Sequence, residues 1–227
     1  MSDDASIDGP ASYDEAEEDA AFVLALRERG VRDTGVLRAM ERVPRARFAP
    51  PDHRDLARRD MALPLPCGAT MTAPTLVATM LVMLGPVAGA RILEIGTGSG
   101  YVAALLAGLG AAQVVSLERY AGLAAQAARA LAEEPSVRVM QGDGLAPLGA
   151  RHGTDGFERI LANGAVERVP QTWLDALAPG GRLVAPLATR SSSRLILIER
   201  GEGGSFRETL GPPLRLPPLL PGLARVL

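Results

Sequence analysis

Cysteine and histidine are nearly absent: Cys67, His53 and His152 are the only three in 227 residues. A single thiol excludes an internal disulfide and any cysteine-based zinc site. With so few imidazoles no metal site is assigned. Net charge is −2, and no run of arginines is long enough to follow a phosphate backbone. Nucleic acid is therefore not an expected partner. No apolar run reaches the length of a membrane span, and no charged-then-apolar leader opens the sequence. A membrane is not expected either, and a reducing cytoplasm is the expected location. What the sequence does have is apolar content, 47% of its residues, enough for one sizeable core with a small appendage.

The chain is organised around Arg91-Ile92-Leu93-Glu94-Ile95-Gly96-Thr97-Gly98-Ser99-Gly100-Tyr101. An apolar strand breaks into three alternating glycines, and an Ala/Leu-rich helix from Val102 follows at once. Strand, tight turn and helix form the first unit of a doubly wound α/β sheet, which binds ligands at the carboxyl ends of its strands. A dinucleotide fingerprint would need its third glycine at position 101, where this chain has Tyr101. G-x-G-x-G after Leu-Glu resembles instead the cofactor turn of S-adenosylmethionine (SAM) methyltransferases.

Two further strand ends follow at one-unit spacing. Gln113 to Glu118 ends in a carboxylate suited to both ribose hydroxyls; the plainer alternative is a solvated charge beside Arg119. Val137 onward ends in Gly142-Asp143-Gly144. The resemblance puts Asp143 on the adenine amino group, while an Asp between glycines also forms turns unaided. Glu94, just before the glycine turn, either touches ligand or only orients the turn.

Taken in order, residues 1–14 carry Asp3, Asp4, Asp8 and Asp14 with no base and read as a disordered acidic tail. Residues 15–42 read as two helices: Glu15 to Arg29, closed by Gly30, and Gly35 to Glu41, capped by Thr34. Residues 43–74 read as a long ordered loop on the substrate side, of the kind that is usually functional. A helix from Thr75 to Leu84 follows, with Thr72 placed to cap it. Beyond Asp143, strands are expected at 156–163, Arg182 to Pro186, Arg194 to Arg200 and Phe206 to Leu210, with a helix from Val169 to Leu177. The last two strands give the mostly parallel sheet an antiparallel end.

Within 43–74 the resemblance becomes specific. Val43-Pro44-Arg45-Ala46-Arg47-Phe48-Ala49-Pro50, Asp60-x-x-Leu63-Pro64 and Gly68-x-Thr70-Met71-Thr72-x-Pro74 precede the glycine turn in order. Together with Gly142-Asp143-Gly144 and Leu177-Ala178-Pro179-Gly180-Gly181 they resemble the protein-L-isoaspartate (D-aspartate) O-methyltransferase family. The resemblance implies one SAM-methyltransferase domain over 43–227 of Rossmann-like type, closed by a C-terminal lid over 211–227. It also implies methyl esterification of the free α-carboxylate of isoaspartyl residues in proteins and peptides, by an enzyme expected to be monomeric. Thr72 stands where the family has a substrate-contacting serine and is the expected catalytic side chain, with Thr70, Met71 and Ala73 beside it. Cofactor contacts fall on Glu94, Gly96, Thr97, Gly98, Ser99, Gly100, Glu118, Asp143 and Gly144.

The chain departs from the family at Pro66-Cys67, Ala69, Thr72, Ala73 and Asn163-Gly164-Ala165-Val166-Glu167, all on the substrate side. Two other readings stay open on the residues alone. One is a carboxylate methyltransferase serving a dedicated peptide or protein partner; the other is a SAM-binding interaction module without turnover.

Overall fold

The structure, a computed structural model, describes residues 13–148, 156–188 and 193–224. The expected acidic tail lies outside these residues apart from Tyr13 and Asp14, which open the first helix. Two helices lead in, α1 (Tyr13–Glu28) and α2 (Thr34–Arg42). Gly30, at φ +96°, turns the chain after α1. The cap of α2 is Asp33 rather than Thr34, since the Asp33 carboxylate accepts the Val36 amide at 2.9 Å. Phe22, Leu26, Val36, Leu37 and Met40 bury the inner faces of the pair.

The loop that follows is more regular than its prolines suggest. Short 3₁₀ turns at Arg45–Arg47, Pro51–Leu56 and Pro66–Gly68 flank a two-residue antiparallel ladder, β1 (Leu63–Pro64) with β2 (Thr70–Met71). It leads into α3 (Pro74–Leu84). Thr72 does not cap α3. Ala73 sits at the cap position without a side-chain bond, and Asp60 takes that role from a distance, accepting the Thr75 amide at 2.9 Å and its hydroxyl at 2.8 Å.

The doubly wound part contains β3 (Arg91–Ile95), α4 (Tyr101–Gly108), β4 (Gln113–Glu118), α5 (Ala121–Ala130), β5 (Val137–Gln141) and β6 (Phe157–Ala162). It continues through α6 (Gln171–Ala176), β7 (Leu177–Ala188), β8 (Ser193–Arg200) and β9 (Phe206–Leu214). Sheet order is β5-β4-β3-β6-β7-β8-β9, with β8 and β9 antiparallel. Strand order reverses between β3 and β6, and the crevice at their carboxyl ends is where such sheets bind ligands.

Alternate β3 side chains serve opposite layers, as a strand's period of two requires. Ile92 packs with α3 and α4, while Leu93 and Ile95 pack with Trp173, Leu177 and Phe157. Two elements run longer than expected. β7 begins at Leu177, because Pro179-Gly180-Gly181 forms an irregularity in its pairing with β6 rather than a turn before it. β9 runs on to Leu214: the ladder shifts register between Ile196 and Arg194 and resumes with Pro213 facing Arg194.

Candidate active site

The glycine turn after β3 is held by its neighbours' backbones. Gly96 and Thr97 donate to the Leu117 carbonyl at 2.8 and 3.2 Å, and Asn163 donates to the Ile95 carbonyl at 2.8 Å. Gly96, Gly98 and Gly100 have φ of +88°, +55° and +91°, a region that side chains other than glycine rarely adopt. Gly100 has a second reason to be glycine. A Cβ there would stand 3.0 Å from Leu131 and 3.3 Å from Ala127, so it lets α4 start against α5.

A cavity of about 270 Å³ lies over this turn. Gly96 and Gly98 floor it, Glu118 to Tyr120 and Gly142 to Leu145 (without Asp143) form one wall, and Cys67 to Thr70 form another. Pro217 to Leu220 close it from above. That C-terminal segment is stitched to both halves of the sheet. Leu219 donates to the Ala165 carbonyl and Ala165 to the Pro217 carbonyl, each at 2.8 Å. Arg119 donates to the Gly222 and Pro221 carbonyls at 3.0 and 3.3 Å.

Glu118 is buried, and its carboxylate grips the turn: one oxygen accepts the Gly98 amide at 2.9 Å, the other the Tyr120 amide at 3.0 Å. A carboxylate offers about four acceptor directions, so two stay free toward the cavity that Glu118 lines. Asp143 behaves differently. Its oxygens accept the Leu145 amide at 2.9 Å and the Gly222 amide at 2.6 Å, tying the C-terminal segment to the β5 end. The cavity wall here is made by Gly142, Gly144 and Leu145. Gly144 is packed so closely that a Cβ would fall 2.3 Å from Ile95.

Beneath the turn runs a buried polar chain. The Thr97 and Ser116 hydroxyls are 2.6 Å apart, Ser116 donates to Glu94 at 2.5 Å, and the Asn163 amide donates to the other Glu94 oxygen at 3.3 Å. Burial pushes the Glu94 carboxyl from 4.5 up to about 8; neighbouring Glu118 adds to the rise, and the bonds from Ser116 and Asn163 oppose it. Glu94 itself lines neither this cavity nor the smaller one beside it; its carboxylate is taken by Ser116 and Asn163. Ser116 is a hydroxyl in an otherwise apolar strand interior, the one signal in the sequence that could have marked it. Asn163 sits among the family departures, and its Oδ1 is buried without a partner.

A second, smaller cavity of about 30 Å³ adjoins the first and shares Thr70, Gly96, Gly98 and Asn163 with it. Met71, Thr72, Thr97, Ser99, Val77, Tyr101 and Val102 complete its wall. Thr72 is thus brought beside the glycine turn from a distant part of the sequence. Ala73 is part of neither wall. Cys67, at φ +63°, is the one residue other than glycine held at positive φ among those described, and it faces the larger cavity.

The residues fit a SAM-type cofactor: a Cβ-free floor, a buried carboxylate with spare acceptor directions, and an orphaned amide oxygen at the joint of two cavities. Comparison with known proteins agrees. A family model described as protein-L-isoaspartate (D-aspartate) O-methyltransferase matches residues 17–214. Protein-L-isoaspartate O-methyltransferase 2 of Rhodopseudomonas palustris strain HaA2 is 47% identical over 209 residues, covering 91% of this chain and 94% of its own. The protein-L-isoaspartate O-methyltransferase of Xanthobacter autotrophicus strain Py2 is 43% identical over 220 residues, covering 95% and 98%. In fold, the chain is similar to a Plasmodium falciparum protein crystallised with S-adenosyl-L-homocysteine, at TM-score 0.75 and 19% identity, covering 88% of this chain and 97% of that one. With the glycine turn, the loop before it and these relatives in agreement, the chain belongs to the protein-L-isoaspartate (D-aspartate) O-methyltransferase family.

Proposed function

We propose that the protein uses SAM to methylate the free α-carboxylate of L-isoaspartyl residues in damaged proteins, the ester then closing to a succinimide. One observation carries this reading. The cavity over the glycine turn shares Thr70, Gly96, Gly98 and Asn163 with the smaller one walled by Met71 and Thr72, so a methyl donor over the turn lies next to a hydroxyl-lined recess.

The cofactor, when bound, supplies a methyl group activated by its own sulfonium. What remains for the chain is modest. An α-carboxylate with a pKa of about 3.5–4 is already ionised at neutral pH, so no general base is required. Among the described residues no histidine lines either cavity, and none is needed. Thr72 donates its hydroxyl to the carboxylate and holds it in line; such orientation is worth several kcal/mol. The stiff β-branched rotamer of threonine suits this fixed role. Pro217 to Leu220 keep water from the reacting atoms. Gly96, Thr97, Gly98, Ser99 and Glu118 are the cofactor contacts in this reading, and Asp143 contributes by holding the segment that covers them.

The substrate is an isoaspartyl protein or peptide, and the protein works as a monomer in the cytoplasm. No helix among the described residues is long and apolar enough to cross a membrane. Incubation of an isoaspartyl peptide with SAM tests the reading. A base-labile methyl ester followed by succinimide is expected; a peptide recovered unchanged would refute it.

A further inference from the structure

Among the described residues Arg45 is the one buried cation, 3% exposed. No carboxylate takes its guanidinium. Its Nη1 donates to the Ala57 carbonyl at 2.8 Å, and its Nη2 is shared among the carbonyls of Met61 at 3.0 Å, Thr72 at 3.1 Å and Met71 at 3.3 Å. Burial lowers its pKa to about 10, partly offset by Tyr101 and Asp60, so it is charged at neutral pH. Burying a cation on neutral carbonyls alone is costly. Apolar packing would hold a loop together at lower cost.

The carbonyls it selects suggest what the charge is for. A trans peptide points its C=O and N–H in opposite directions. Turning the Met71 and Thr72 carbonyls onto Arg45 therefore turns the N–H groups of Thr72 and Ala73 away from it. Thr72 is also one of the residues that wall the small cavity. A carboxylate entering there would be repelled by carbonyl oxygens and attracted by N–H and hydroxyl donors. Tyr101, whose buried hydroxyl has no partner, borders the same cavity.

We propose that Arg45 is a positioning residue for the substrate carboxylate: it holds the Met71 and Thr72 carbonyls out of the small cavity and thereby sets the affinity for the isoaspartyl peptide. The proposal rests on the methyl-esterification reading above.

The test uses Arg45→Lys, which keeps the charge but not the fork, and Arg45→Gln, which keeps a donor but not the charge. For each variant that stays folded, peptide KM and kcat, the Kd for S-adenosyl-L-homocysteine and Tm are measured on the full chain. Peptide KM is expected to rise at least about tenfold, with kcat changed less and the cofactor-product Kd within about twofold of the parent. An unchanged KM in a folded variant overturns the proposal. So does a KM and Kd worsening in parallel as Tm falls, the mark of a merely structural role. If the unmodified protein transfers no methyl to the peptide, the functional reading fails first, whereas turnover with an unchanged variant KM sinks this inference alone.

Discussion

One oxygen of the Glu118 carboxylate accepts the amide of Gly98 at 2.9 Å, which joins the end of β4 to the middle glycine of the turn after β3. The residue expected to meet the ribose thus anchors the turn that floors the cavity. Glu118→Ala removes both the turn's anchor and the free acceptor directions. Calorimetric binding of S-adenosyl-L-homocysteine is expected to weaken by about tenfold to a hundredfold, since bonds to a charged acceptor contribute roughly 1.5–3 kcal/mol. An unchanged Kd would remove Glu118 from the site.

Thr72 tests the other side. Thr72→Val keeps shape and burial but loses the donor, and kcat/KM on an isoaspartyl peptide is expected to fall by about tenfold or more. Thr72→Ser retains the donor and is expected to keep activity. The Kd for S-adenosyl-L-homocysteine stays near the parent value in both. Equal activity of the Val and Ser variants would show that the hydroxyl has no part in the reaction.

Glu94 makes a prediction about pH. Below 4.5 the folded and unfolded chains both hold its proton; between 4.5 and about 8 only the folded chain does. Rising pH therefore favours unfolding across that window, and the stability this group contributes is gone above it. Glu94→Gln has no proton to lose. Its Tm relative to the parent is expected to climb as pH rises from 4.5 to 8, by the equivalent of a few kcal/mol. Parallel Tm curves for the two proteins would mean that Glu94 is ionised in the fold.

Gly100 couples the cofactor turn to the core. Gly100→Ala combines φ +91° with a Cβ 3.0 Å from Leu131, and is expected to cost about 1–3 kcal/mol of stability by chemical denaturation. A loss below that range would mean that α4 and α5 can part locally.

Local chemistry explains which parts of this were legible in the sequence. The glycine turn, the strand ends at Glu118 and Asp143, and the antiparallel end of the sheet are each set by residues next to one another in sequence. Most of what was not legible depends on long-range partners; the cap of α2 does not. Thr34 looked like the cap of α2 because Asp33 has the same chemistry one residue earlier. Thr72 looked like a cap for α3 because Asp60, which serves that end, lies far upstream. The Glu94–Ser116–Asn163 chain joins β3, β4 and the residue that follows β6, and no spacing rule links them. The resemblance puts Asp143 on adenine; the bond its carboxylate accepts from the Gly222 amide exists only once the C-terminal segment has crossed the sheet.

The central claim is that the recess beside Thr72 receives an α-carboxylate freed by isomerisation. Two peptides of one sequence, isoaspartyl at a single position in one and ordinary aspartyl in the other, test it most directly when offered with radiolabelled SAM. Label is expected in the isoaspartyl peptide alone, as a base-labile ester. Equal labelling of both, or none in either while S-adenosyl-L-homocysteine still binds, would contradict it.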